Sequence, residues 1–470
     1  MQVVSRRFKS LPHKIKAEMA NLDARPIVAT ELEPLFGGLT DFGRIYLAVS
    51  GGADSTALMH LVAAWLEAGW PKNGGGLRPD VCVLTVDHGL RPEAAAEAEG
   101  VVAAADSLGL RAEILCWQGA KPKTGLQEAA RAARYEVMLG HIRQAVGDPA
   151  EAVLVTGHHR DDTAETLLMR LARGAGVDGL ASMQAHGYRE ELAILRPLLD
   201  TPKSRLQATL NVAGASWIED PSNQNLMFER VQLRAAEAAR AELGLDDAAL
   251  ALTARRMARA RRALDTMTAD WLAPSLREPL LARSGIYVWR GLAGSIPDEI
   301  AIRALMRLLP AIGGIDLPPR LLRTERLWDD MQHGDFAGAT LCNCVVRPGK
   351  EADMIIYREP ERGSLPEIDT EPGRALVWDN RFEVKTNESV RVRPLTLQDL
   401  AKFEFDARAN RMSYPVDALR ATPVFADGDG LLAIPALNMH RDGPKALAAE
   451  QLTCRFIVER INDQFAAKAP

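Results

Sequence analysis

Charge of one sign is not in excess in this chain: 57 Lys and Arg stand against 62 Asp and Glu, a net charge of −5. Such a balance gives no global attraction to nucleic acid, so any RNA contact must come from local basic patches. Cysteine is scarce. Cys82, Cys116, Cys342, Cys344 and Cys454 are scattered, which argues against a disulfide framework and for a reducing, cytoplasmic setting. Cys82 and Cys116 fall in expected buried strands, where a thiol packs as a small apolar group. Cys342-Asn343-Cys344 is too close for the usual Cys-x-x-Cys spacing and has no partner pair. The first twenty residues, Met1 to Ala20, lack a continuous apolar core, which excludes a secretory signal or an anchor. They carry Arg6, Arg7, Lys9, Lys14 and Lys16 against Glu18 alone. That composition also allows a basic amphipathic presequence; a solvated lead-in helix is the preferred reading. No repeat or low-complexity tract stands out.

What is present, 47% hydrophobic and 25% charged residues, is the composition of a soluble globular protein with no membrane partner. At 470 residues the chain exceeds one core, so two or three domains are expected. The organising stretch is Ala48-Val49-Ser50-Gly51-Gly52-Ala53-Asp54-Ser55-Thr56. Arg44 to Val49 before it reads as a buried strand, and Ala57 to Leu66 after it as a helix without internal Gly or Pro. A small-residue turn at that junction gathers free backbone N–H groups at the positive end of a helix dipole, a seat for phosphate. Gly51 and Gly52 leave room against the backbone. Ser50, Ser55 and Thr56 offer hydroxyl donors. Asp54 would repel a phosphate unless a cation stood between, which marks it as a magnesium ligand. The Walker pattern is excluded, because no Lys follows the second Gly.

Strand-like runs (Val81–Val86, Arg111–Trp117, Ala152–Thr156, Leu192–Leu199) alternate with helical ones (Glu93–Leu108, Leu126–Val146, Asp162–Arg173, Pro202–Ala213). The alternation predicts a parallel, doubly wound α/β sheet with its site at the carboxyl ends of the strands. After the second strand, Asp87 and His88 are placed to meet a nucleotide base or ribose, and Arg91 a phosphate; Asp87 as a mere turn former is the alternative. Glu128, Arg131, Arg134 and Tyr135 share adjoining turns of a helix face, which alone would read as a solvated surface. Thr156-Gly157-His158-His159-Arg160-Asp161-Asp162-Thr163-Ala164-Glu165-Thr166 holds more His and Asp than a helix cap needs. Asp162 and Glu165, three apart, could orient an ammonium group or a magnesium water. Zinc is less attractive, with no nearby Cys and no third His at ligand spacing. Arg173 roots a Gly-rich loop, and Arg196 ends the last strand at the same edge. Glu219-Asp220-Pro221-Ser222-Asn223 closes the first domain.

Residues 225 to about 341 are expected to be mainly helical (Asp246–Ala273, Asp298–Leu309, Pro318–Gln332). The run Arg255, Arg256, Arg259, Arg261, Arg262 is either a solvated face or an RNA phosphate contact. Glu359 to Gly373, acidic and rich in Pro and Gly, suggests a linker or long loop. Beyond it a small α+β piece carries a capping box at Thr396–Asp399 and a hairpin turn at Asp427–Gly430 between Pro423–Ala426 and Leu431–Pro435. The expected divisions are an N-terminal extension (1–24), a catalytic α/β domain (25–224), a mainly helical domain (225–345) and a C-terminal α+β domain (346–470).

The loop Ser50 to Thr56 resembles the pyrophosphate loop of the N-type ATP pyrophosphatases, the PP-loop superfamily. Joined with Val86 to Arg91, the Glu128/Arg131/Arg134/Tyr135 helix and Gly157 to Thr166 leading into Arg173-Gly174-x-Gly176, it resembles the tRNA(Ile)-lysidine synthases over residues 44 to 234. The family usually has Arg-Asn where this chain has Arg230-Val231, while Arg230 and Arg234 remain. The resemblance implies that ATP adenylates the wobble cytidine of a CAU-anticodon tRNA(Ile), that the ε-amine of L-lysine then attacks carbon 2, and that AMP leaves. It implies catalytic roles for Asp54, His158 and Asp162, and ATP contacts from Ala48 to Thr56 with Asp87 and His88. The implied lysine and tRNA contacts are Arg91, Glu128, Arg131, Arg134, Glu165, Arg173, Arg196, Arg230 and Arg234, with ATP and Mg2+ required. Two rivals are a cytidine thiolase, which usually relies on the Cys-x-x-Cys pairs missing here, and a non-catalytic ATP-binding module, which would not need Asp54, His158 and Asp162.

Overall fold

Strand β1 (Arg44–Ala48) turns Ile45 and Leu47 to one face of a six-stranded sheet and Tyr46 to the other. The computed structural model describes residues 24–69, 79–119, 121–122, 124–189, 191–219, 225, 227–291, 296–402, 415–428, 430–441 and 452–461. The lead-in Met1–Ala20, Asp220 to Asn223 of the expected break and Asp429 of the expected hairpin lie outside the described residues. The chain divides at Arg261/Arg262 into two compact units. Among the described residues no helix is long and apolar enough to cross a membrane.

In the first unit β2 (Asp80–Asp87), β3 (Arg111–Cys116), β4 (Ala152–Thr156), β5 (His186–Arg189) and β6 (Leu192–Leu195) join β1 in the order β3-β2-β1-β4-β6-β5. All pairings are parallel except the β5–β6 hairpin. The helices are α1 (Ala29–Phe36), α2 (Ala53–Glu67), α3 (Ala94–Ser107), α4 (Leu126–Ala145), α5 (Arg160–Ala172), α6 (Val177–Leu180), α7 (Lys203–Ala213), α8 (Glu229–Ala235) and α9 (Glu237–Glu242), followed by α10 (Asp247–Leu276), within which the division falls. Alternate strand residues explain the double winding. Ile45, Leu47, Val81, Val83, Val153 and Val155 pack with α1, α2, α3 and α7, while Tyr46, Cys82, Leu84 and Leu154 meet Tyr135, Met138, Leu139 and Ile142 of α4. Helix α2 is buried nearly all round, as a central helix must be.

Every expected strand and helix of this half is present, with ends shifted by a few residues. The sequence reading missed β5: His-Gly-Tyr-Arg has no apolar alternation, and it exists as an edge strand through a reversal at Glu191, whose φ is 72°. Cys116 corrects another expectation. It ends edge strand β3 and is exposed, whereas Cys82 is buried as expected; all five thiols are free.

The second unit contains α11 (Pro279–Ser284), β7 (Tyr287–Trp289), α12 (Asp298–Gly313) and α13 (Leu321–Met331). Three antiparallel sheets follow from β8 (Ala339–Leu341), β9 (Cys344–Pro348), β10 (Met354–Arg358), β11 (Ile368–Asp369), β12 (Ala375–Trp378), β13 (Phe382–Thr386), β14 (Arg391–Pro394), β15 (Pro423–Asp427), β16 (Gly430–Ile434), β17 (Met439–His440) and β18 (Leu452–Phe456), with a short α14 (Leu397–Lys402). One core joins Trp289, Leu305 and Trp328 to Ile356, Phe382, Phe425 and Phe456. The stretch Glu359–Gly373 is a loop within this unit, pinned by β11 on β14 and by Trp378 Nε1 donating to the Pro366 carbonyl at 2.8 Å. The expected capping box forms, with Thr396 N donating to Asp399 Oδ2 at 2.9 Å and Asp399 N to Thr396 Oγ1 at 3.3 Å. The hairpin forms too, closing at Asp427 and Gly430.

Candidate active site

The strand order reverses at β1, which has β2 on one side and β4 on the other, and Ala48 lies opposite both Leu84 and Thr156. The carboxyl ends of three strands therefore meet where an open α/β sheet splits to receive a ligand. Gly51 sits at φ +80°, and a Cβ there would come within 2.4 Å of Ile218, whose amide donates to the Gly51 carbonyl at 2.9 Å. Gly157 is needed because a Cβ would meet the Asp54 carbonyl oxygen at 2.9 Å. The Gly157 approach locks the loop after β1 against the turn after β4, and the Ile218 contacts tie it to the segment after α7. The loop also braces itself: Ser55 Oγ donates to the Gly52 carbonyl at 3.0 Å and Thr56 Oγ1 to the Gly51 carbonyl at 3.1 Å. Both hydroxyl protons are thus turned to the backbone rather than to a ligand. Ser50 Oγ, 3.3 Å from Ser55 Oγ, is on the exposed rim.

At the centre lies a charge cluster. Asp54, in the first turn of α2, places Oδ2 3.3 Å from His159 Nε2 and 3.7 Å from Lys203 Nζ. His159 is the N-cap of α5, only 1% exposed, and Asp162 Oδ2 (3.5 Å) and Asp161 Oδ1 (3.9 Å) also surround its ring. Burial alone would lower its pKa, but Asp162, Asp54 and Asp161 raise it to about 9, so the ring is an imidazolium. Burial works against the charge of Asp54 too, yet His159 and then Lys203 hold that carboxyl below its usual range. Asp162 is likewise opposed by burial and lowered by His159 and His158. Its Oδ2 accepts the His159 amide at 3.2 Å. His158 differs from its neighbour. Burial, aided by Arg196, Arg131 and Arg230 against Asp162, pushes it down to about 3, leaving a neutral ring with Nδ1 2.8 Å from Thr156 Oγ1.

Asp54, His158 and Asp162 of this cluster line a cavity of about 460 Å3 together with Arg91, Arg131, Arg134, Lys203, Arg230 and Arg234, while His159 and Asp161 lie behind its wall, so six cationic side chains face three carboxylates, Asp54, Glu97 and Asp162. Ala48, Val49, Ser50, Gly52, Ser55, His88 and Tyr135 complete much of the wall, while Gly51, Ala53 and Thr56 lie behind it. His88 is pushed down to about 4 by burial and then Arg134, whose Nη2 is 3.4 Å from its Nε2. Arg91 reaches Glu97 at 3.0 Å.

Five expected residues are held elsewhere. Asp87 accepts the Gly89 amide at 2.8 Å and shapes the turn, the alternative raised for it. Glu128, at the start of α4, is exposed and away from the wall that Arg131 and Arg134 form. Arg173 pairs with Glu229 at 2.6 Å on the surface. Arg196 is buried and donates to the Gln184 carbonyl at 3.0 Å, because the strand end that carries it points inward. Glu165 is buried beneath the wall, where Arg234 grips both its oxygens and Arg230 approaches to 4.0 Å; burial raises its pKa despite Arg234. Val231 stands between those arginines on α8 and is not part of the cavity wall.

Comparison with known proteins bears on what this cavity serves. A family model described as a PP-loop domain matches residues 24–238. The tRNA(Ile)-lysidine synthase of Rhodopseudomonas palustris is 43% identical over 364 residues, covering 74% of this chain and 100% of that one. The chain belongs to the tRNA(Ile)-lysidine synthase family. The lysidine synthases of Bradyrhizobium diazoefficiens (41% identity, 68% of this chain and 87% of that one) and Ruegeria pomeroyi (36%, 84% and 89%) are similar over most of their length as well. Among solved structures, the U34-tRNA thiolase NcsA of Methanococcus maripaludis is similar at a TM-score of 0.40 and 13% identity, covering 49% of this chain and 77% of that one.

As a lysidine synthase the chain is an ATP-dependent ligase with a PP-loop ATP-binding domain. Sequence reasoning missed two members of the charge cluster around Asp54. His159 was passed over for His158, although a second adjacent His, separated from the Asp161-Asp162 pair by Arg160 alone, was a usable signal. Lys203, the first residue of α7, carried no motif, and only the fold brings it beside Asp54.

Proposed function

We propose that this chain joins L-lysine to carbon 2 of the wobble cytidine of a CAU-anticodon tRNA(Ile) through an adenylated tRNA intermediate, releasing pyrophosphate and then AMP. The observation that carries the reading is the cavity itself: a backbone phosphate loop, a neutral His158, ionised Asp54 and Asp162, and six cations at one sheet edge. The loop after β1 and the amino end of α2 suit the pyrophosphate of ATP. Lys203 and the arginines suit the charge that develops on it as the α-phosphate is attacked in line. His88, whose Nε2 must accept from the donor-only Arg134, lies where a base or ribose would rest.

The residues fit a magnesium ion shared with ATP. Asp54 Oδ1 is sealed from solvent with no hydrogen-bond partner among the described residues, an acceptor that a cation or its water would satisfy. Among the described residues no three His, Cys, Asp or Glu side chains are grouped to hold a metal. A hard cation on one or two carboxylates completes its shell with phosphate and water, and there it neutralises phosphate charge. Asp54 would be the first ligand.

The attacking amine must lose its proton. Asp162, the carboxylate open to the cavity on α5, is the group assigned to hold the lysine ammonium and draw that proton. Glu165 supports the same step at one remove by fixing Arg234. Parts of the chain beyond residue 224 would read the tRNA body, and the enzyme would work in the cytoplasm. Pyrophosphate release tests the reading: it should require magnesium and a CAU-anticodon tRNA(Ile), and a transcript with an altered wobble base should not support it. Release that ignores the RNA would overturn the proposal.

A further inference from the structure

Trp117 directly follows edge strand β3, and its amide donates to the Asp87 carbonyl at 2.9 Å, which seats it against the end of β2. Its ring lies 6.1 Å from that of His88, centroid to centroid, and nearly perpendicular at 86°. The Lys121 ammonium stands 3.7 Å over the Trp117 ring and donates to the Trp117 carbonyl at 2.5 Å. Both side chains are partly exposed, and Cys116, Gln118, Gly119 and Pro122 around them are exposed, so this is surface rather than core. The charge of Lys121 still reaches the cavity wall: after burial, Arg134 and then Lys121 lower the pKa of His88.

Trp117 and Lys121 are not part of the cavity wall, although His88 and Arg134 belong to it. A ligand held wholly inside would touch neither. A polynucleotide that places one base in the cavity is different, because its chain must continue outside on both sides of that base. Single-stranded RNA is met in such places by cations on its phosphates and by aromatic side chains. A free surface lysine loses much side-chain freedom when it meets a phosphate. Lys121 is held beforehand, by the ring and the carbonyl of one residue. An ammonium group has three N–H donors, so the carbonyl bond leaves others for a phosphate. We propose that Lys121, positioned by Trp117, binds a backbone phosphate of the anticodon nucleotide next to the wobble cytidine, which makes this edge of the sheet part of the RNA-binding surface. The proposal rests on the reading of the cavity as the seat of that cytidine.

The test is binding of a CAU-anticodon tRNA(Ile) to the full chain, measured by fluorescence anisotropy over a range of salt concentrations. Lys121→Met keeps an apolar stem on the ring and removes the charge. It should weaken binding by about 10-fold and lower the log–log salt slope by about 0.7, the share of one phosphate in a single strand. Lys121→Arg should restore both. Trp117→Leu should weaken binding less and leave the slope nearly unchanged, because the charge is still there but no longer held. Lys121→Met with wild-type affinity and slope, or with an equal loss in binding of α,β-methylene ATP, overturns the proposal. A tRNA carrying one uncharged methylphosphonate linkage on either side of the wobble cytidine separates the two levels. One of these linkages should weaken wild-type binding and make no further difference in Lys121→Met. If Lys121→Met loses affinity and slope but neither linkage matters, the lysine meets RNA elsewhere, and the seat of the cytidine fails together with the proposal. If a linkage weakens wild type and Lys121→Met equally, the seat stands and the proposal alone fails.

Discussion

In the second unit, Arg303 and Arg307 are buried on α12 and both reach Asp265 Oδ1, at 2.9 and 3.0 Å. Arg381 is matched by Asp379 and Arg393 by Asp399, each within 2.7 Å. Around Asp54 in the first unit the buried charges are not resolved into private pairs. His159 is shared by three carboxylates, Asp54 keeps one oxygen unpartnered among the described residues, and His158 and His159, adjacent in the chain, are shifted in opposite directions. Both units bury ionisable groups, so burial does not by itself mark chemistry. The difference is that one set closes on itself and the other opens on a cavity. Closed pairs fix packing, while open clusters keep ionised groups ready for a ligand.

The two sets of buried charges should respond most differently at Asp54 and Asp265. Asp54→Asn should lower tRNA-dependent pyrophosphate release by about 1,000-fold, an effect of the size seen when a site loses a key electrostatic group. Its thermal transition should stay close to that of the wild type. Asp265→Asn should do the reverse. Removing the shared partner of two buried guanidinium groups costs about 3–5 kcal/mol, read as a lower melting temperature or denaturant midpoint. Pyrophosphate release per folded molecule at low temperature should be nearly unchanged. A large rate loss in Asp265→Asn without destabilisation would erase the distinction.

A smaller effect is expected on α10, where Arg256 and Arg259 are exposed, while Arg255 pairs with Asp200 at 2.9 Å and Arg261 with Asp178 at 3.5 Å. If Arg256 and Arg259 meet phosphates, Arg256→Gln/Arg259→Gln should weaken tRNA binding and flatten its log–log salt dependence by roughly 1 for each phosphate no longer neutralised. An unchanged slope would make the run a solvated face.

The smallest expected effect is in pH dependence. His88 is held near 4, below its ordinary 6.5. The unfolded chain therefore takes up a proton that the folded one refuses, and stability falls as pH drops from 6.5 towards 4. His88→Asn should remove part of that acid loss in melting curves. His159, raised to about 9, has the opposite sign: its contribution is full below 6.5 and fades as pH rises through 9.

Local patterns were enough to read the parallel sheet from the sequence, because strand runs such as Ala152–Thr156 are apolar throughout and the helices have clean boundaries. Strand β5 was not legible, since its pairing depends on β6 and a reversal at Glu191 rather than on its own side chains. The loop, His158 and Asp162 were legible as motif residues, and the cavity brings them together. Their partners were not. Lys203 reaches Asp54 from far along the sequence only because the starts of α5 and α7 are tied. Charge type alone did not show these partners: Asp87, Glu165 and Arg196 have the right chemistry for a site, and in the fold a turn amide, Arg234 and a backbone carbonyl meet their bonding groups. Residue identity alone does not say which charges a fold will neutralise internally.

Transfer of lysine to RNA is tested most directly by incubating the chain with radiolabelled lysine, ATP, magnesium and a CAU-anticodon tRNA(Ile) transcript, with Asp54→Asn alongside. Label in the RNA that requires ATP and is lost in the variant is the predicted result. Pyrophosphate released in step with the tRNA but with no label in it would contradict lysine as the nucleophile, and label undiminished in Asp54→Asn would contradict the site.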